Sequence, residues 1–330
     1  MVAQPQPRLP RSVLEGSGAF LPARVVTNDE LARTLETSDA WIRERTGIAE
    51  RRVAGPGDTA VSMATEAARA ALADAGATAA DVDCIIVATS TPDEAFPATA
   101  VRVQAALGVT RGYGFDLAAA CAGFIYALSV ADGLVRSGQA RGVLVIGSEV
   151  YSRILNWRDR GTCVLFGDGA GAVFLRAGTG EGVEAPGILS THLHAQGTLG
   201  DILYVDGATG RHDRPQHLVM NGREVFRHAV TRLAEAVEEA LSANGLGRAD
   251  VDWLVPHQAN LRIIDAMGRK LGLPPERVVV TVERHANTSA ASVPLAFAEA
   301  RADGRIRRGD LVLMEALGGG LTWGSALIRM

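Results

Sequence analysis

Lysine is almost missing from this sequence: of 33 basic residues, Lys270 is the single lysine and every other one is arginine. A Schiff-base or pyridoxal enzyme, or a phosphate loop with its lysine, would have to use that one residue. Lys270 follows Arg269 in a stretch of helical pattern and not in a glycine-rich loop, so those classes are set aside. Cysteine is scarce as well. Cys84, Cys121 and Cys163 are too few and odd in number for a disulfide framework, which suits a reducing cytoplasm. No apolar run approaches the ~20 residues of a membrane span. The longest uncharged apolar stretch, Leu117 to Ala131, is broken by Gly123 and Ser129, and the opening MVAQPQPRLPRS has no signal-peptide core. Neither sign of charge dominates: 33 basic against 37 acidic residues leave a net charge of −4, with no block that would favour nucleic acid. No G-x-S-x-G occurs, so the serine-hydrolase elbow is absent. GDGAG at 167–171 precedes a strand instead of joining a strand to a helix, which argues against a dinucleotide site. His192 and His194 form a bare H-x-H without further ligands, and no metal site is expected.

What remains is a chain of 330 residues, 47% hydrophobic, long enough for a sizeable core. It repeats itself. Residues 66–83, EAARAALADAGATAADVD, align without gaps on residues 235–252, EAVEEALSANGLGRADVD, with nine of eighteen positions identical. Each copy has helical periodicity, a glycine at its end, and then a β-rich run, CIIVATS or WLVPH. The order continues in both halves. A helix ending in Leu-Gly leads to a short strand near GFDL or RVVVT, a long helix, and strands GVLVIGS and LVLME. GAVFLR at 171–176 and GSALIR at 324–329 close the two halves. Duplicated strand–helix order predicts an α/β protein with two related sheets. The expected organisation is an N-terminal extension at 1–12, expected to be disordered, and a first half at 13–176. A connecting segment at 177–225 has no counterpart in the first half, and a second half follows at 226–330.

Aligning the long helices puts Cys121, in FDLAAACAGF, opposite Asn287, in RHANTSAASVP. Both fall at strand-to-helix junctions. A thiol at a helix N-terminus is expected to have its pKa lowered by the macrodipole; the plainer alternative is a small core residue among alanines. Cys84 and Cys163, inside apolar runs, read as core. His257 follows the strand WLVP, at a carboxyl end where open α/β sheets place ligands, and is otherwise a structural histidine. GGGLTWG at 318–324 lets backbone N–H groups approach a ligand, or is a flexible turn.

Cys121 in AAACAGF, His257 in PHQANLRII, Asn287 in NTSAASVP and the tail GGGLTWGSALIRM together resemble the β-ketoacyl-acyl carrier protein synthase III family of the thiolase superfamily. The likeness runs from about Val13 to Met330 and includes TSDAWIRERTGI, AFPATA and DRGTCVLFGDGAGAV. It implies a five-layered αβαβα thiolase-like fold of two duplicated halves, in a cytoplasmic homodimer. It implies a decarboxylative Claisen condensation of acyl-CoA, acetyl-CoA first among candidates, with malonyl-acyl carrier protein, through an acyl-cysteine and without a cofactor. By that resemblance Cys121 is the nucleophile, His257 and Asn287 bind the malonyl thioester carbonyl, and the N–H groups of Cys121 and Gly319 form an oxyanion hole. Trp41 and Arg160, with Arg45 nearby, would hold CoA. Phe96, from the partner, would line the acyl pocket with Tyr151 and Leu317. Arg227, Arg262, Arg269 and Lys270 would receive the carrier protein. Three departures bear on acyl preference: Ala286 where the family usually has glycine, Leu317 for a frequent phenylalanine, and Tyr151 for an aliphatic residue. Two other readings stand beside this one. One is a ketosynthase or acyltransferase of a polyketide or secondary pathway, and the other a non-catalytic partner subunit.

Overall fold

The computed structural model describes residues 10–206 and 217–330. Thirteen strands and nine α-helices are formed among them. The first sheet joins β1 (Arg11–Phe20), β4 (Cys84–Ala88), β5 (Tyr113–Leu117), β6 (Gly142–Val150) and β7 (Asp168–Gly178), in the order β1-β7-β6-β4-β5. Its β4, β5 and β6 are parallel, while β7 runs antiparallel to both β6 and β1. The second sheet joins β8 (Gly187–Ala195), β11 (Trp253–Pro256), β12 (Leu311–Gly318) and β13 (Thr322–Arg329), in the order β11-β12-β13-β8. There β11 and β12 are parallel, and β13 is antiparallel to β12 and β8. Two small pairs, β2 (Arg24–Thr27) with β3 (Glu50–Val53) and β9 (Leu203–Tyr204) with β10 (Val219–Met220), lie outside the main sheets.

Helices α5 (Gly123–Arg136) and α9 (Ser292–Ala302) lie between the two sheets. A helix sandwiched this way has no solvent face and must be apolar nearly all round. The sequences comply: Phe124, Ile125, Ala127, Leu128 and Ala131 are buried on α5, and Val293, Leu295, Ala296, Phe297 and Ala300 on α9. Pro294 is tolerated because it falls in the first turn of α9, where N–H groups have no intrahelical partner. Outside the first sheet lie α3 (Ala60–Asp74) and α4 (Thr99–Leu107); outside the second lies α6 (Gly222–Ala243), with α7 (Leu261–Leu271) beside it. The layers are therefore helix, sheet, helix, sheet, helix. Three short helices, α1 (Asn28–Ala32), α2 (Asp39–Thr46) and α8 (Val282–His285), belong to the loops.

The structure corrects the expected boundaries. Arg11 and Ser12 belong to β1, paired with Gly178 and Ala177, so an extension at 1–12 is too long by at least these two; residues 1–9 lie outside the described residues. The segment 177–225 does have a counterpart. Its β8 edges the second sheet against β13 as β1 edges the first against β7, and α6 begins at Gly222, before the expected 226. Residues 207–216 of that segment lie outside the described residues. The run RVVVT is not a strand but a single parallel bridge, Leu254 to Val278. The side chain of Gln258 explains this. Its Nε2 donates to the Val279 carbonyl, and its Oε1 accepts from the N–H groups of Thr281 and Val282, which a longer ladder would have used.

Short 3-10 turns introduce both central helices, Ala120–Ala122 before α5 and Ser289–Ala291 before α9. Ala120 and Ala286, in matching places ahead of Cys121 and Asn287, have φ of +46° and +56°. With ψ of −161°, Ala286 occupies a region that is almost glycine-only and costs about 1–3 kcal/mol for other residues. The Ala286→Gly protein is accordingly expected to be more stable by about 1 kcal/mol, after the extra freedom of glycine in the unfolded chain is deducted. Urea unfolding of the two proteins checks this, and an unchanged or lower midpoint contradicts it.

Candidate active site

The carboxyl ends of the two sheets and the two 3-10 turns enclose a cavity of ≈ 710 Å³. That is the size of a ligand site. Its inner wall carries Cys121, His257 and Asn287, only 4%, 6% and 6% exposed, together with Tyr151, Leu317 and Gly319. Exposed Arg45, Arg160 and Arg262 line it nearer solvent, with Trp41 between the first two. The guanidinium of Arg45 lies 4.4 Å from the Trp41 ring centroid and that of Arg160 5.0 Å, so both are in cation–π contact with the indole. Arg160 also donates to the Glu36 carbonyl. Arg262 and Asn260 tie the start of α7 to the end of α2 by donating to the carbonyls of Glu44, at 3.0 Å, and Arg45, at 3.1 Å.

Each inner residue is fixed by its backbone. His257 extends β11, its N–H donating to the Glu315 carbonyl at 2.8 Å. Its Nδ1 lies 2.5 Å from the Ser292 hydroxyl, at the first position of α9. That hydroxyl accepts the Gln258 N–H at 3.4 Å and has its own proton for Nδ1, which leaves Nε2 as the N–H of the ring. Burial pushes the imidazole down to about 3, so at neutral pH His257 is an uncharged donor. Asn287 is clipped at both backbone groups, its N–H to the Leu165 carbonyl and its carbonyl to the Gly167 N–H. Its Oδ1 accepts the Ser289 N–H at 2.8 Å, which leaves the NH2 end of the amide for the cavity.

Cys121 sits in the turn ahead of α5, with the glycine hairpin between β12 and β13 directly against it. A Cβ on Gly318 would come within 2.5 Å of the Cys121 nitrogen, so only glycine permits this approach. Thr322 locks the hairpin by donating to the Ala119 carbonyl at 2.9 Å. The thiol does not match the sequence expectation. Burial pushes it up to about 12, the Ser289 hydroxyl only partly opposing this; placement at a helix start is outweighed by desolvation with no cation nearby to compensate. Tyr151 stacks on Phe166, with ring centroids 4.9 Å apart, and its hydroxyl meets that of Ser289 at 2.9 Å.

Other expected residues lie apart. Phe96, 86% exposed in the loop before α4, does not line the cavity of its own chain. Arg227 on α6 and Arg269 and Lys270 at the end of α7 are exposed outside the cavity. His192 and His194 both face Glu239, and no group of three or more metal-binding side chains occurs among the described residues. No described helix is long and apolar enough to cross a membrane. Sequence reasoning missed Ser289, Ser292, Glu149 and Glu315. Glu315 is fully buried, neither carboxyl oxygen has a hydrogen-bond partner among the described residues, and burial raises it to about 8. Because its folded pKa lies above its unfolded value near 4.5, the unfolded chain alone is ionised between those limits, and stability falls as pH rises through that window. Glu315→Gln removes this dependence. Denaturant unfolding should show the variant gaining about 3 kcal/mol on the parent between pH 5 and pH 8; parallel curves for the two proteins would contradict it.

Residues 115–197 match the family profile of 3-oxoacyl-[acyl-carrier-protein] synthase III, and residues 241–330 match the profile of its C-terminal part. A β-ketoacyl-[acyl-carrier-protein] synthase III from Acidiphilium cryptum is 72% identical over 319 residues, 97% of this chain and 99% of that protein. Another from Granulibacter bethesdensis is 68% identical over 320 residues, again 97% and 99%. The crystal structure of 3-oxoacyl-[acyl-carrier-protein] synthase III from Aquifex aeolicus superposes with a TM-score of 0.91 at 46% identity, covering 97% of this chain and all of that one.

Proposed function

The chain belongs to the β-ketoacyl-acyl carrier protein synthase III family, and from that footing we propose how its cavity carries out the reaction. It is an acyltransferase that performs the initiating condensation of fatty-acid synthesis. Cys121 takes an acyl group from acyl-CoA, with acetyl-CoA as the first primer, and CoA leaves. Malonyl-acyl carrier protein then enters and loses CO2, and its enolate attacks the acyl-cysteine to give the 3-ketoacyl carrier protein. No cofactor takes part; acyl-CoA is a substrate.

The observation that carries this reading is the neutral donor pair on the cavity wall. Decarboxylation builds negative charge on the malonyl thioester oxygen. A ring N–H at His257 Nε2 and the Asn287 amide meet that charge without a competing proton or nucleophile, each worth about 3–4 kcal/mol. The N–H groups of Cys121 and Gly319 serve the tetrahedral intermediates of acyl transfer. At the mouth, an adenine takes the place of one guanidinium on the Trp41 ring, between Trp41 and Arg160 and close to Arg45. Tyr151 and Leu317 bound the acyl group, and Phe96 completes that pocket in the partner of a homodimer. Arg227, Arg262, Arg269 and Lys270 form the cationic surface for the acidic carrier protein, and the reaction is placed in the cytoplasm.

Intact-protein mass spectrometry after incubation with acetyl-CoA, then with longer and branched acyl-CoAs, tests the proposal. An acetyl adduct that malonyl-acyl carrier protein discharges as a 3-ketoacyl product is expected. Absence of any adduct from any thioester overturns it.

A further inference from the structure

The bulkiest side chain buried completely among the described residues is a cation, Arg51 on β3. Burying a guanidinium is costly, and most so without a carboxylate to meet it. All three acceptors of Arg51 are neutral oxygens. Nη1 donates to the Val26 carbonyl at 3.1 Å, and Nη2 donates to Asn28 Oδ1 and to the Val164 carbonyl, both at 2.9 Å. Nε has no partner among the described residues. Desolvation pulls the group down to about 10, which leaves it charged at neutral pH. An apolar side chain would fill the same space at lower cost. What only arginine supplies there is a planar fork of donors that fixes three chain segments at once.

Those segments lead to both ends of the cavity. Val164 begins the run Val164, Leu165 and Phe166, which lines it. The Leu165 carbonyl accepts the Asn287 N–H at 2.9 Å, the Gly167 N–H donates to the Asn287 carbonyl at 3.0 Å, and Phe166 bridges to Asn287 between them. The backbone that aims the Asn287 amide therefore hangs, one residue away, from Arg51. In the other direction Asn28 passes the contact on. Its Nδ2 donates to the Ile48 carbonyl at 2.8 Å and to Asp39 Oδ1 at 2.9 Å. Asp39 is the first residue of α2, the helix that carries Trp41 and Arg45. Gly167 lets the pieces meet, since a Cβ there would fall 2.8 Å from the His285 carbonyl and 3.2 Å from Arg51 Cβ.

We infer that Arg51 is a positioning residue with two arms: through Val164 it sets the Asn287 amide against the malonyl thioester oxygen, and through Asn28 and Asp39 it sets the root of α2, and with it Trp41, against the adenine of CoA. This rests on the roles given to Asn287 and Trp41 in the proposed function. Arg51 touches neither substrate and exchanges no proton; it acts by holding two distant walls of one cavity in register. A shift of about 1 Å in a reacting group costs about 10²-fold in rate, so the precision of the fork matters more than its charge. Lysine keeps the charge, but a single ammonium on a flexible stem does not reproduce a fork that reaches three fixed oxygens.

Two variants separate the arms. Each is measured for CoA affinity by calorimetry, for CO2 release from malonyl-acyl carrier protein, and for alkylation of Cys121 by iodoacetamide. Arg51→Lys should lower CO2 release about 10²-fold and weaken CoA binding about tenfold, with alkylation, which needs neither arm, at the parent rate. Asn28→Asp still offers Arg51 an oxygen but has no N–H for Asp39 or the Ile48 carbonyl. It should weaken CoA binding about tenfold and leave CO2 release at the parent rate, because malonyl-acyl carrier protein brings no adenine. Parent-like values for either readout in Arg51→Lys overturn the two-armed role, and so does an even loss of all three readouts in both variants, the mark of a purely structural residue. If Arg51→Lys does not fold, Asn28→Asp decides: unchanged CoA affinity, or CO2 release lost along with it, overturns the inference. A parent protein that neither binds CoA nor releases CO2 counts instead against the proposed function, so the two failures are distinct.

Discussion

The Cys121→Ala protein should take no acyl group from any acyl-CoA and form no 3-ketoacyl product. The expectation is a loss to background, not a partial effect. Removing the sulfur removes the covalent intermediate, and no described residue stands ready to replace it: Cys84 is buried inside β4, and Cys163 is buried beside the Trp157 carbonyl. Intact mass after incubation with acetyl-CoA gives the answer in one measurement. A Cys121-independent adduct of full stoichiometry would remove this residue from the chemistry altogether.

His257→Ala should behave differently, and the difference carries the division of labour. The variant should still form the acyl-enzyme, because in the proposed mechanism attack by Cys121 and expulsion of CoA rely on the backbone donors near Gly319. Its decarboxylation should fall by about 10²–10³-fold, the usual cost of one donor aimed at a developing oxyanion. Asn287→Ala should do likewise, since the proposal gives its amide the same oxygen. Acetyl adduct formation and CO2 release from malonyl-acyl carrier protein, measured separately, test the split. Equal loss of acylation in the His257 and Cys121 variants would refute it.

Much of this molecule was legible in the chain because the relevant signals are local. Alternating strand and helix patterns, doubled at a fixed offset, are enough for two related sheets. The three inner residues each stand in a motif of their own, beside a strand end or a helix start. What was not legible depends on contacts between distant segments. Glu149 in GSEVYS reads as one polar residue in an apolar strand, and only the fold shows that Thr91, 58 residues away, hydrogen-bonds its carboxyl. Ser292 acquires meaning only once α9 is laid against β11. Leu-to-His alternation in LSTHLHA was a readable strand signal, masked by the Gly, His and Pro content around it. The thiol was misjudged for a related reason, since burial depends on the whole layer arrangement while helix position is local.

The central helices have one more consequence. Amides in α5 and α9, and in the turns that begin them, are screened by a sheet on either side, so no small fluctuation reaches them; exposing them means parting the two sheets, an event close to global unfolding. The mouth is different, built from the short α2, the exposed side of α7 and the loop around Arg160. Breathing there breaks only a few surface hydrogen bonds. The protein thus separates two timescales, with substrates exchanged at its fastest-opening rim and bonds made or broken where its backbone is the last to open.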